Sequence, residues 1–152
     1  MLNSKLHIHN SFDDNRGTLG ILEHDILDIK WDRTITSYNK NIHTFRGMHY
    51  QEKFPQIKYI KVIKGKIIDF IYNLDTNQVE EYELDSTLGL LVPNNYAHGY
   101  FTLEEDTIVS YLICGDYIPS DERIISYKDI SEISKYIDRY DITIGNKDLI
   151  TY

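Results

Sequence analysis

One cysteine, Cys114, stands in 152 residues. No disulfide can form within the chain, and the expectation is a reducing, cytoplasmic setting. No apolar run is long enough to cross a bilayer, and no basic-then-apolar leader opens the chain, so neither a membrane span nor a signal peptide is expected. Cations are the minority charge: 16 Lys and Arg face 24 Asp and Glu, a formal net charge of -8. That balance argues against nucleic acid or an anionic membrane as partner, yet leaves room for a small anionic ligand held by a few local cations. Also missing are a glycine-rich phosphate loop, a serine nucleophile elbow, a Cys-x-x-Cys pair, internal repeats and low-complexity tracts. The length suits a single domain spanning residues 1–152.

Short strands dominate what is present. Alternation or brief apolar runs predict them at Leu19–Ile29, Ile57–Ile63, Lys66–Leu74, Val79–Leu84, Leu88–Val92, His98–Leu103 and Thr107–Ile113. Lys64-Gly65 reads as a tight hairpin turn, and Asp75-Thr76-Asn77 and Pro93-Asn94-Asn95 as further turns. This pattern favours an all-β sandwich or jelly-roll barrel over a βαβ fold. A short helix is predicted over Asp129–Tyr140, with Asp129 and Glu132 as a capping box and Ile130, Ile133 and Ile137 on one face. The 13 tyrosines suit strands and polar-lined clefts.

The chemistry concentrates in Arg46-Gly47-Met48-His49-Tyr50-Gln51. A histidine among partners that tune its basicity is raw material for proton transfer near neutral pH. Lys58 shares a strand face with Ile60, opposite Ile57 and Tyr59, so it can face a polar interior. In a barrel holding one small ligand, Arg46, Arg16 and Lys58 would supply positive charge for phosphates or an enolate. His49 would act as base and a tyrosine such as Tyr111 as acid. Isolated arginines and histidines are more often surface or structural groups. A metal between His49 and His98 would need another ligand, and Gln51 is a poor one for zinc. Cys114, in an apolar strand, reads as core rather than nucleophile.

Several stretches, taken in order, resemble the sugar-nucleotide 3,5-epimerase family, typified by dTDP-4-dehydrorhamnose 3,5-epimerase. Asp14-Asn15-Arg16-Gly17 is similar to its acidic-x-Arg-Gly turn. Arg46–Gln51 is similar to Arg-Gly-Leu-His-Tyr-Gln, with methionine for leucine, and Gln56-x-Lys58 follows. Lys64–Asp69 falls where the family has a basic-Gly-x-Val-x-Asp hairpin. Pro93–Tyr100 resembles Pro-x-x-x-Ala-His-Gly-Phe, with tyrosine in the last place, and Tyr117–Asp129 the Tyr-x-Pro-x-x-Glu stretch. The match spans roughly residues 12–150, in a chain shorter than is usual for the family.

The resemblance implies a cupin-like double-stranded β-helix, usually a homodimer, without metal or organic cofactor. It implies a nucleoside-diphosphate 4-keto-6-deoxyhexose as substrate, epimerised at C3 and/or C5 in deoxysugar biosynthesis. Carried onto this sequence, His49 is the general base, Asp148 its orienting carboxylate, and Lys58 the enolate's partner, helped by His98. Tyr111 returns a proton on the opposite face. Arg16 and Arg46 bind diphosphate or sugar, Glu122 is an active-site acid, and Gln51 lies in the binding run. The other readings are a sugar-nucleotide-binding cupin without catalysis and a related 3,4-ketoisomerase, whose histidine-rich version of the run Tyr50-Gln51 does not reproduce. A metal-dependent cupin enzyme is a further option.

Overall fold

The structure is a computed structural model that describes residues 5–21 and 28–149. In chain order the strands are β1 (Lys5–Ile8), β2 (Asn10–Asp14), β3 (Gly17–Ile21), β4 (Arg33–Asn39), β5 (Thr44–Gln51), β6 (Ile57–Lys64) and β7 (Ile67–Asn73). There follow β8 (Val79–Leu84), β9 (Leu88–Val92), β10 (Tyr96–Thr102), β11 (Thr107–Cys114), β12 (Glu122–Ile124), the helix α1 (Ser131–Ile137) and β13 (Thr143–Ile144). One sheet has the order β1-β9-β6-β11-β4 and the other β12-β5-β10-β7-β8, with β13 laid parallel on β5. Among the described residues, the β2–β3 hairpin pairs only with itself. Two antiparallel sheets face to face make the jelly roll that the strand pattern predicts.

Side-chain alternation builds two apolar layers. Ile71 and Tyr100 point between the sheets, where they meet Ile60, Val62, Leu90 and Val109. Their neighbours Phe70 and Phe101 point outward onto Ile130, Ile133 and Ile137 of the helical segment. Covering both faces is why β10 reads as an almost unbroken apolar run, buried from Ala97 to Thr102. Burying such side chains stabilises the fold by about 25 cal/mol for each Å² of apolar surface removed from water.

Several local expectations need correction. Lys64-Gly65 does turn the chain, with Gly65 at φ 89°, but β6 and β7 belong to different sheets, so the turn is a corner between layers and not a hairpin. A Cβ on Gly65 would strike the Thr107 hydroxyl, which is why this corner takes glycine. The helix starts later than expected and has no capping box. Asp129 ends a 3₁₀ turn over Tyr127–Asp129, and Ile130 precedes α1 without a side-chain cap. Apolar burial of Ile130, Ile133 and Ile137, rather than capping, fixes its place. The strand expected over Leu19–Ile29 stops being describable after Ile21, since residues 22–27 lie outside the described residues, and Ile29 is not in a strand. Six strands escaped the sequence reading: β4 and β5, the N-terminal β1 and β2, and the short β12 and β13.

Candidate active site

A cavity of about 800 Å³ opens between the sheets. β5 brings His49 and Arg46 to it, β6 Lys58, β10 His98 and Tyr100, β11 Tyr111, and the segment after β13 Asp148. Polar residues on inward positions explain why β4 and β5 lack the apolar alternation of a half-buried strand.

β5 and β10 approach closely where His49 sits. His98 is the Cα partner of His49, and the register slips by a bulge before Tyr100. Gly47 has φ 140°, and a Cβ there would lie 2.5 Å from Gly99 Cα. Two glycines therefore let the strands touch beside the histidine.

His49 is held at both ring nitrogens. Nδ1 lies 3.1 Å from Glu122 Oε1 and Nε2 2.9 Å from Asp148 Oδ1. Asp148 is buried, and its Oδ2 accepts the Gly47 N–H at 3.1 Å. The second Glu122 oxygen takes Lys147 Nζ at 2.6 Å and the Tyr117 hydroxyl at 3.3 Å. Burial favours a neutral imidazole, but the hydrogen bonds from His49 to Asp148 and Glu122 outweigh it and raise its pKa. The hydrogen bond with His49 holds the Glu122 carboxyl down at about 2, against its burial and with help from Lys147.

A second group faces this one. Burial pushes the Lys58 ammonium down to about 8, although Glu122 and Asp69 favour its charged form. His98 Nε2 lies 2.7 Å from Asp69 Oδ2, and this pair is almost wholly buried. Burial raises the Asp69 pKa, opposed by His98 and Lys58. The Tyr111 ring stands edge-on to His98, centroids 5.8 Å apart. Burial, then Tyr100, raises its pKa well above the ordinary value.

The structure thus brings His49, Lys58, His98, Tyr111, Glu122, Asp148 and Arg46 to one cavity. Arg46 stands at the rim, exposed, with Nε donating to Asn39 Oδ1 at 2.7 Å. Two expected binding residues are elsewhere. Arg16 lies on the β2–β3 hairpin, fully exposed and paired with Asp14, away from the cavity of its own chain. Gln51 is buried outside the lining. Its amide donates to the carbonyls of Phe54 and Asp116 and accepts the Ile118 N–H, so it fastens two loops. Cys114 is half-buried and also outside the lining.

Four contributors received no role from the sequence: Asp69, Lys147, Arg33 and Ser37. A lone carboxylate inside the apolar run Ile67–Ile71 was a usable signal for Asp69. Arg33, Ile35 and Ser37 share a strand period on β4, but that strand was not recognised. Lys147 carried no signal apart from Asp148 beside it. Among the described residues, no group of three or more His, Cys, Asp or Glu side chains is placed to hold a metal ion.

Comparison with known proteins agrees with this geometry. The family described as dTDP-4-dehydrorhamnose 3,5-epimerase matches residues 6–151. A protein of that name from Sinorhizobium fredii is 26% identical over 113 residues, which cover 69% of this chain and 58% of the relative. One from Methanothermobacter thermautotrophicus is 30% identical over 91 residues, 55% of this chain and 49% of that protein. The chain spans about half the length of the curated relatives it matches. The crystal structure of dTDP-4-dehydrorhamnose 3,5-epimerase from Bacillus anthracis, with TDP and PPi bound, superposes with a TM-score of 0.86 at 28% identity, covering 99% of this chain and 93% of that one. The jelly roll is therefore of the cupin-like double-stranded β-helix type.

Proposed function

The chain belongs to the dTDP-4-dehydrorhamnose 3,5-epimerase family, and we propose that it epimerises a nucleoside-diphosphate 4-keto-6-deoxyhexose at C3, C5 or both, in deoxysugar biosynthesis. One observation carries this reading: a histidine–carboxylate base, a half-buried lysine and a half-buried tyrosine line the same cavity. Removing a proton alpha to a ketone needs the base and a cation for the enolate oxygen, and inversion needs an acid on the other face. A protein that only binds sugars needs no such set.

His49 is the base, oriented by Asp148. Both ring nitrogens contact carboxylates at rest, so one contact must yield before the imidazole can accept a proton. Glu122 retains Lys147 and Tyr117 when it lets go, whereas Asp148 would be left buried, so the Glu122 contact is the one that opens. Lys58, with His98 held by Asp69, stabilises the oxyanion. Tyr111 delivers a proton to the opposite face. Arg46 and Lys147 at the rim attract the diphosphate, a ligand class in keeping with the Bacillus anthracis relative, which was solved with TDP and PPi bound.

We place the protein in the cytoplasm as one domain and a homodimer. The protruding β2–β3 hairpin, which exposes Phe12 and Leu19, supports a second copy as its seat, with Arg16 carried to the partner's cavity.

The test is incubation with dTDP- and GDP-4-keto-6-deoxyhexoses in deuterated water, following deuterium into C3 and C5. Exchange at one or both carbons is expected, and abolished by His49→Ala. Absence of exchange with every such sugar rejects the reading.

A further inference from the structure

The chain between β11 and β12, residues 115–121, carries Tyr117 to the cavity and is fastened at three places. At its start the Gly115 N–H donates to Asp32 Oδ2 at 2.8 Å. At its end the buried Asp121 carboxylate accepts the N–H groups of Lys53 and Phe54, each at 2.9 Å. At its middle stands Gln51, 5% exposed. Gln51 Oε1 accepts the Ile118 N–H at 2.8 Å, and Nε2 donates to the Asp116 carbonyl at 2.9 Å. The same Nε2 donates to the Phe54 carbonyl at 2.6 Å, so the turn after β5 is bound in as well.

A carboxamide offers a donor and an acceptor side by side, so this one side chain takes the peptide groups on both sides of Tyr117. Gln56 Nε2 adds a second donor to the Asp116 carbonyl at 3.0 Å. With its backbone bracketed, the Tyr117 ring bridges the two sheets. The Arg33 guanidinium, from β4, lies over it at 5.2 Å from the centroid, and the hydroxyl donates to Glu122 Oε2, on β12, at 3.3 Å. The ring is 45% exposed, so apolar packing alone does not hold it in place. A side chain ordered before a ligand arrives loses less freedom when the ligand binds, and binding is the stronger for it.

We propose that Gln51 is a positioning residue for substrate binding: by bracketing the Tyr117 backbone it holds that ring at the cavity's edge, against the part of the substrate that projects from it. The inference rests on the epimerase reading of the cavity. Gln51 itself stays outside the lining and acts only through Tyr117. Because Asp32 and Asp121 keep both ends of the segment fastened, losing Gln51 frees its middle without undoing the fold.

The substitution Gln51→Met keeps the size of the side chain and removes all three hydrogen bonds. Gln51→Glu, which keeps the length and the acceptor for the Ile118 N–H but loses both donors, is the second variant. With the 4-keto sugar nucleotide that the wild type exchanges in deuterated water, KM should rise about two- to tenfold in each, the range that ordering one side chain spans. The change should fall on KM rather than on the rate at saturation, because His49 and Lys58 stand on β5 and β6 and not on this segment. In a Tyr117→Ala background, Gln51→Met should move KM no further, since the two act as one unit. In protein labelled at tyrosine Cζ, the Tyr117 resonance, assigned by its loss in Tyr117→Phe, should shift in both Gln51 variants without any substrate. Thermal unfolding identifies the variants that are folded. A wild-type KM in a folded Gln51 variant, or an effect that adds in full to that of Tyr117→Ala, shows that Gln51 only fastens loops and overturns the proposal. Should the wild type show no exchange with any sugar, the epimerase reading fails, while the resonance still decides whether Gln51 holds Tyr117.

Discussion

Asp148 reaches His49 from the far end of the described chain, with Oδ1 2.9 Å from Nε2. Its other oxygen is tied to the Gly47 N–H two residues before the histidine, so the carboxylate is fixed relative to the strand it serves. Replacing it with asparagine keeps the shape and removes the charge that stabilises the imidazolium. Deuterium exchange in Asp148→Asn should drop about a hundredfold or more. The acidic limb of its pH profile should move to lower pH, because His49 loses a partner that raises its pKa. Exchange at the wild-type rate would remove Asp148 from the mechanism.

Glu122 predicts a pH signature of both stability and activity. Its folded pKa, about 2, lies below the ordinary 4.5, so its contribution to stability is complete above about 4.5 and is lost as pH falls towards 2. His49 is shifted the other way. Its contribution is complete below 6.5 and is lost as pH rises through its raised pKa. Denaturant midpoints measured across pH should therefore peak between these two ordinary values. Glu122→Gln should flatten the acid flank and move the acidic limb of exchange to lower pH, because the base loses one anion. An unchanged acid flank would contradict the assigned ion pairs.

How much of this was legible depends on the range over which each feature is decided. The strands Val79–Leu84 and Leu88–Val92 were read to the residue, because alternation and flanking turns are local. β5 was not read as a strand, because cavity-lining Arg46 and His49 interrupt its apolar pattern. The corner at Gly65 shows the same limit. Local residues specify a turn, while the sheet that receives the next strand is decided by packing of Ile67 and Ile71 against Ile60 and Leu90. Asp148 pairs with His49 from 99 positions further along the chain, and only the family resemblance pointed to it. Gln51 sits in a functional run yet fastens loops, a distinction that motif matching alone does not make.

Gly47 supplies a stability prediction. In Gly47→Ala a Cβ would stand 2.5 Å from Gly99 Cα and 3.1 Å from the His98 carbonyl oxygen, at a φ of 140° that side chains rarely adopt. Backbone atoms cannot step aside as a flexible side chain can, so the loss should be about 1–3 kcal/mol or more, read from urea unfolding. Because Gly47 also donates to Asp148, the variant should lose exchange activity out of proportion to its unfolded fraction. A stability within about 0.5 kcal/mol of the wild type would show that β5 and β10 can part at no cost.

Lys58 sets the opposite limb of the pH profile. Its ammonium, pushed down to about 8 by desolvation, is charged below that pH and neutral above it. A neutral amine cannot stabilise a developing oxyanion by charge, so exchange should decline as pH rises through about 8. Lys58→Met should lower exchange by about a hundredfold or more at neutral pH. Its thermal midpoint should equal or exceed that of the wild type, since an apolar group replaces a half-buried, desolvated charge. Lys58→Arg separates charge from position: a guanidinium stays protonated throughout, so whatever activity survives should no longer decline on the alkaline side. Exchange followed in deuterated buffers across that range decides the matter. A wild-type rate that stays flat above pH 8 would take Lys58 out of the oxyanion's reach and leave His98 as its partner.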